Sequence, residues 1–449
     1  MSYTVERRGA SDDLLHHMIC EGLPSYLARL AALDRYLPAH VVGELEDYLT
    51  CGDPEGGFAW IACDDCDLHR VIPFSCKGRG FCPSCAGRRM TERAAHWVDV
   101  LLPFRRVRQW VLTVPWQRRW DLARRHDLVK GVLHEALAVL QDAYAKRTGL
   151  PGGRTGSIAV VQRFGSGLNL NVHYHILMVD GCYSRYDDGA LRWEGAPAPT
   201  TVEVEALIEQ IARSAETRLA GQGLGPEDER LDEDDTDARI HAAAIAGHSA
   251  FETRRRTQRI GGREITLPPL CATFGGYTLH AGVAIGADDR GALERLCRYL
   301  LRPPVARERL RLLDGRRVAL LLKRRWSDGS SEKVFTYEEL VERLATFVPP
   351  SRKNQVFYGG VFAPGSKLRA DVVRKRPRRR ATKRLVRADR RARGSRWVSW
   401  AELLKRTFAV DGFRCSGCGG PMVLRAVVIG HTAAHKVLAD LSRGAAGPP

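Results

Sequence analysis

Apolar residues recur along this chain with two distinct periods. From Arg108 to Val114 (Arg-Gln-Trp-Val-Leu-Thr-Val) they run almost without a break to Pro115, which marks a buried strand ending where proline removes a donor. Leu122, Val129, Val132, Leu133, Ala136, Leu137, Leu140 and Tyr144 then keep helical spacing as far as Gly149. Ser157 to Phe164 reads as a strand, Gly165-Ser166-Gly167 as a turn, and Asn169 to Val179 as the hairpin partner. Val204, Leu207, Ile208, Ile211 and Leu219 mark a second amphipathic helix. The order strand, helix, strand, strand, helix predicts an α+β domain, an antiparallel sheet with helices on one face.

The second hairpin strand carries the first candidate chemistry, in Leu170-Asn171-Val172-His173-Tyr174-His175-Ile176-Leu177-Met178-Val179. Strand side chains repeat every two residues, so His173 and His175 share one face about 7 Å apart, a spacing suited to gripping one metal ion. Across the turn, Gln162 sits on the pairing strand, and its amide oxygen could serve as a third ligand. A register slip of one residue would turn it to the other face and leave it bonding backbone.

A nucleophile is expected on another element. Asp288 to Arg302 (DDRGALERLCRYLLR) predicts a helix stopped by Pro303-Pro304, with Leu293, Leu296, Cys297, Leu300 and Leu301 as its apolar stripe. At about 100° per residue Tyr299 lies well off that stripe, beside Arg295, Arg298 and Arg302. A solvent-facing tyrosine among arginines is placed to meet a phosphodiester. Helix periodicity alone describes an ordinary amphipathic tyrosine, and it is the surrounding constellation that points to a nucleophile.

Cysteine spacing adds metal chemistry. Cys63-x2-Cys66 and Cys82-x2-Cys85, fifteen residues apart, have zinc-ribbon spacing, and four thiolates would form a closed structural site. Cys76 lies between the pairs, able to replace one ligand or to join a second site with His69. Lys77, Arg79, Arg88 and Arg89 would make the ribbon a DNA-contacting module. Near the C-terminal end, Cys415-x2-Cys418 followed by His431-x3-His435 matches a two-Cys, two-His finger, with a helix expected over Thr432 to Leu441. The alternative is a lone cysteine knuckle.

Composition narrows the partner. The 449 residues carry a net charge of +18, which points to a polyanion, nucleic acid first. From Arg374 to Arg396 the chain is dense in cations, including Arg374, Lys375, Arg376, Arg378, Arg379 and Arg380, with Asp389 the one acid. Such a run suits a DNA-backbone clamp with steep salt dependence. Between Glu227 and Asp237 an acidic stretch reads as a solvated loop, and Trp397, Trp400, Leu403, Leu404 and Phe408 as a short helix core. No segment has the length of a membrane span and the first residues show no apolar signal region, so a cytoplasmic, nucleoid-associated protein with reduced cysteines is expected. No phosphate-binding loop is evident, so no nucleotide cofactor is expected. Three regions follow: residues 1–98 with the cysteine cluster, 99–350 with the alternating elements, and 351–449 with the basic run and the last cysteine pair.

Together these motifs resemble a known family. Val161 to His175 is similar to the metal-binding hairpin of HUH endonucleases. The cysteine cluster, Arg298-Tyr299-Leu300-Leu301-Arg302-Pro303-Pro304 and Asn354 to Pro364 resemble one branch of it, from about residue 50 to about 425. That branch is the rolling-circle insertion-sequence transposases, the insertion-sequence-ninety-one and common-region elements. The resemblance implies a ferredoxin-like or RRM-like palm of antiparallel strands backed by helices. It implies cleavage of single-stranded DNA at the ends of a mobile element, through a covalent 5′-phosphotyrosine and a free 3′-hydroxyl. Carried over, His173 and His175 bind Mg²⁺ or Mn²⁺, Gln162 completes the set and Tyr299 attacks, with Zn²⁺ as structural metal. Founding members have two tyrosines four residues apart, whereas position 295 here is arginine, so the chain resembles the single-tyrosine branch. The rival readings are a rolling-circle replication initiator or relaxase with the same chemistry, a non-catalytic zinc-ribbon DNA-binding regulator, and a hydrolase of small phosphoesters.

Overall fold

In the computed structural model, which describes residues 3–5, 14–66, 68–150, 152–224, 256–260, 263–322, 329–373 and 414–442, the chain forms two units. One gathers the described residues within 93–301 and 349–373, and the other those within 3–92, 302–348 and 414–442.

The first unit is built on the apolar runs. Its strands are β1 (Val107–Thr113), β2 (Gly156–Phe164), β3 (Leu170–Val179), β4 (Cys271–Phe274), β5 (Tyr277–Ile285) and β6 (Val356–Gly360). They form a six-stranded sheet in the order β4-β5-β1-β3-β2-β6, every neighbouring pair antiparallel. Four helices accompany it: α1 (Trp116–Arg124), α2 (His126–Thr148), α3 (Thr201–Ala220) and α4 (Arg290–Leu300). Helix α2 ends on Gly149 at φ 60°, a left-handed stop that glycine adopts freely. Thr200 and Glu203 start α3 with a reciprocal capping box.

The sheet is covered on both faces rather than the expected one. Trp110, Leu112, Val161, Tyr174 and Ile176 pack with Val132 and Leu140 of α2 and Ile208 and Ile211 of α3. On the opposite face Val107, Ile158, Val160, Leu177 and Val179 meet Leu293, Leu296, Cys297 and Leu300 of α4, together with Trp97. The physical reason lies in α4 itself, whose apolar stripe needs cover, and in β1, which is buried along its whole length.

A buried charge network closes one end of the sheet. Asp180, just past β3, accepts from Arg106 Nε at 2.7 Å, from Arg108 Nη2 at 2.9 Å and from the Tyr144 hydroxyl at 2.7 Å. Arg108 is buried as well, so removing the carboxylate would strand a guanidinium in the interior. Asp180→Ala is expected to destabilise the protein by about 3–5 kcal/mol, read as a shift of the denaturation midpoint.

In the second unit the two chain ends share one sheet. Its order is Tyr3–Val5, His69–Pro73, Gly57–Cys63, Met422–Ile429, so a C-terminal strand pairs antiparallel with Gly57–Cys63. The helices Leu14–Ala32, Ala39–Leu49 and Tyr337–Phe347 and a three-stranded antiparallel sheet, Leu310–Leu312, Arg317–Leu321 and Glu332–Thr336, belong to the same unit. Among the described residues no helix is long and apolar enough to cross a membrane.

Candidate active site and thiolate clusters

The hairpin register decides which face each polar residue takes. Gln162 of β2 is the cross-strand partner of His173 of β3, and His173 is in turn opposite Thr113 of β1. His175 lies between Val160 and Val111. Gln162, His173 and His175 therefore share the face that α4 covers, and all three are buried. The two imidazole rings stand 4.9 Å apart between centroids at 70°.

Hydrogen bonds orient these side chains. His173 donates from Nδ1 to the carbonyl of Asn171 at 2.9 Å, so Nε2 is the nitrogen that could serve as a ligand. The side-chain Nε2 of Gln109 sits 2.7 Å from His175 Nδ1. An amide holds its place whether oxygen or nitrogen faces the ring. With oxygen inward, Gln109 accepts from Nδ1–H and His175 likewise offers Nε2. Gln162 donates from Nε2 to the carbonyl of Leu300 at 2.7 Å, while its Oε1 is buried and makes no hydrogen bond among the described residues. A buried amide oxygen so placed beside two imidazoles is a donor set that fits a divalent cation.

Tyr299 sits on α4 over this face, its ring edge-on to that of His175 at 6.0 Å. Sequence periodicity gave it a solvent-facing position, but it is half-buried and its hydroxyl oxygen is shielded. Its ring packs, partly buried, against the cluster formed by Leu293, Leu296, Cys297 and Leu300 with the sheet, so the flank of the apolar stripe is covered too. Arg295 is exposed, Arg298 pairs with Glu294 at 2.7 Å, and Arg302 is half-buried and falls in the other unit. Arg374, Lys375, Arg376, Arg378, Arg379 and Arg380 lie outside the described residues, as do the acidic stretch and the tryptophan-containing segment after the basic run.

Several residues of this face escaped the sequence reading: Gln109 and Thr113 on β1, Thr278 and His280 on β5. Their signal was polar residues at every second or fourth place in otherwise apolar strands. Burial drives the His280 imidazole down to about 4. Because the unfolded chain takes up the proton near 6.5, stability is fully present above that pH and is lost as pH falls from about 6.5 towards 4. The loss is about 3 kcal/mol, and His280→Gln is expected to flatten that part of a pH-resolved stability curve.

The cysteines assemble differently from their spacing. Cys51, Cys76, Cys82 and Cys85 form one group, and Cys63, Cys66, Cys415 and Cys418 another. Sulfur separations are 3.7 Å (Cys51–Cys82), 3.8 Å (Cys51–Cys85) and 3.5 Å (Cys76–Cys85) in the first, and 3.4 Å (Cys63–Cys418, Cys66–Cys415) in the second. Four thiolates about 2.3 Å from one tetrahedral ion stand about 3.8 Å apart, so both groups fit zinc. Backbone N–H groups point at the sulfurs, among them Gly78 to Cys76, Gly417 to Cys415 and Gly420 to Cys418. The N–H of Cys418 above all, then that of Gly417, lowers the Cys415 thiol to about 6, which favours the ligand form.

Cys63 and Cys66 thus do not meet Cys82 and Cys85, since Cys63 ends a strand whose C-terminal neighbour, Met422–Ile429, brings its own knuckle alongside. Cys51, just past the helix Ala39–Leu49, was the unforeseen member of its group, and His69 instead accepts from the Trp60 indole at 3.0 Å. His431 and His435 do not complete the Cys415–Cys418 pair, because the helix His431–Ser442 aims them at Glu55. Of the ribbon cations, Arg89 donates to the carbonyl of Lys77 at 2.9 Å and so braces the loop before Cys82.

One unit is antiparallel α+β with a buried His-His-Gln face, the other is rich in thiolate clusters, and the family matches make the chain a DNA-cutting enzyme of the transposase class. Residues 156–370 match the family model described as "Putative transposase", and residues 20–114 match the "Transposase zinc-binding domain" of IS91 elements. The chain belongs to the IS91 family of transposases. The family implies DNA as partner, and the zinc-binding match together with the cysteine groups supports structural zinc. No curated protein and no solved structure matches the chain.

Proposed function

We propose that this transposase nicks one DNA strand of the HUH type, with Tyr299 as nucleophile and a divalent ion, Mg²⁺ or Mn²⁺, held by His173, His175 and Gln162. The reading rests on one observation: two imidazoles and an amide oxygen without a hydrogen bond share one buried sheet face under the helix that bears Tyr299. When bound, the ion would polarise the non-bridging phosphate oxygens and offset charge developing in the transition state.

The chain's own residues do the rest. The Tyr299 oxygen attacks phosphorus and loses its proton, the bond to the 3′ oxygen breaks, and that oxygen gains a proton. A 5′-phosphotyrosine and a free 3′-hydroxyl remain, and the reverse attack by a 3′-hydroxyl rejoins a strand without ATP. Gln162 ties the ligand set to the backbone of α4, which couples metal position to nucleophile position. Asn171 and Gln109 fix the two imidazoles.

One tyrosine, with arginine at position 295, suits single-stranded ends of a mobile element processed one strand at a time by rolling-circle transposition. The run Arg374 to Arg396 serves as a backbone clamp, and each cysteine group holds one closed, structural zinc, within a protein acting at the nucleoid. A replication initiator or relaxase would use the same chemistry, but the two transposase matches favour the mobile-element reading.

Manganese binding tests the site apart from DNA. Gln109→Ala is expected to weaken Mn²⁺ binding about 10–100-fold by calorimetry, the usual cost of losing an outer partner of a ligand histidine. His173→Ala should abolish that binding and the nicking of labelled single-stranded DNA while leaving DNA affinity in place. Undiminished Mn²⁺ binding in His173→Ala would remove the assigned metal site.

A further inference from the structure

The His431-x3-His435 motif is left over once the two thiolate groups are complete, and its own surroundings resemble a metal site. His431 opens the helix His431–Ser442 and His435 follows one turn later, so the rings lie side by side, 5.3 Å apart and 35° inclined. Each presents Nε2 to a different oxygen of one carboxylate, His431 to Glu55 Oε2 at 3.2 Å and His435 to Glu55 Oε1 at 3.8 Å. The three candidate ligand atoms lie within 4.8 Å of one another. Glu55 is itself held by the 3-10 turn Pro54–Gly56, where the Asp53 carboxylate accepts from the Glu55 backbone N–H at 2.9 Å.

We propose that Glu55, His431 and His435 form a third metal site, taking a borderline divalent transition ion such as Zn²⁺ or Ni²⁺. Nitrogen and oxygen ligands about 2.1 Å from a tetrahedral ion stand about 3.4 Å apart, so modest side-chain rotation closes this set. Two imidazoles and a carboxylate are the ligand chemistry such ions select, while Mg²⁺ and Ca²⁺ prefer all-oxygen sites. The three side chains are 50%, 69% and 63% exposed, so water fills the remaining positions and the ion exchanges freely, unlike one enclosed by four thiolates. An exposed carboxylate–histidine pair alone contributes little to stability, and an ion shared by three side chains is what would make their convergence count. Bound there, it clips the C-terminal helix to the turn that leads into the strand Gly57–Cys63, which ends in a thiolate of the second cysteine group. The site stands independently of the nicking reading.

Metal counting on the full chain tests it. With the cysteine groups zinc-loaded, the protein is equilibrated against buffered free Zn²⁺ or Ni²⁺ and bound metal is measured by plasma mass spectrometry. The wild type should take up one more equivalent than His431→Ala/His435→Ala at micromolar free ion, and Glu55→Gln should weaken that equivalent tenfold or more. Equal uptake by wild type and the double variant, a difference seen only at millimolar ion, or unchanged affinity in Glu55→Gln would each overturn the site.

Discussion

Tyr299→Phe is expected to abolish covalent capture of single-stranded DNA and to lower strand cleavage by at least about a thousandfold, the scale of removing a catalytic nucleophile. The substitution deletes one oxygen and keeps the ring that stands edge-on to His175. The helix owes its seat to Leu293, Leu296, Cys297 and Leu300, which are untouched. Thermal stability and DNA affinity should therefore stay near wild type, so that lost cleavage reports chemistry and not unfolding. A denaturing gel of labelled DNA with Mn²⁺ reads the adduct, and equal adduct from wild type and Tyr299→Phe would remove Tyr299 from the reaction.

The second large effect concerns zinc. Cys63→Ser, Cys66→Ser, Cys415→Ser and Cys418→Ser should each cost the same single zinc and several kcal/mol of stability, since a structural ion contributes folding free energy directly. Combining variants discriminates between pairings. Through-space grouping predicts that Cys63→Ser/Cys415→Ser loses no more zinc than either single change, whereas Cys63→Ser/Cys82→Ser loses both ions. Pairing by sequence spacing, with Cys63 and Cys82 around one ion, predicts the opposite. Exposed Cys20→Ser, outside both groups, should change neither metal content nor stability.

The contrast between hairpin and cysteines shows which parts of this molecule are local. His173 and His175 share a face because of a two-residue period, and a short turn brings Gln162 opposite, so neighbours in sequence carry the information. The helix around Tyr299 was readable from its apolar stripe and its two prolines, although the partial burial of Tyr299 was not, because how much of a helix's flank a sheet covers leaves no trace in periodicity. Grouping in the second thiolate set is decided by strand pairing between segments more than three hundred residues apart, as with Cys63 beside Cys418. Identical Cys-x2-Cys turns cannot encode which partner they meet. Asp180 and Arg108 were likewise invisible as a pair, since each reads alone as a polar interruption at a strand end.

The central claim is that Tyr299, over the His173–His175–Gln162 face, becomes joined to DNA. Peptide mapping of the covalent adduct tests it most directly: the wild-type protein is reacted with single-stranded DNA and Mn²⁺, digested with nuclease and trypsin, and fragmented by mass spectrometry. The expected result is a nucleotide 5′-phosphate on Tyr299, in the peptide that follows Arg298. A nucleotide carried by another residue, such as Tyr358 on β6, would contradict the account.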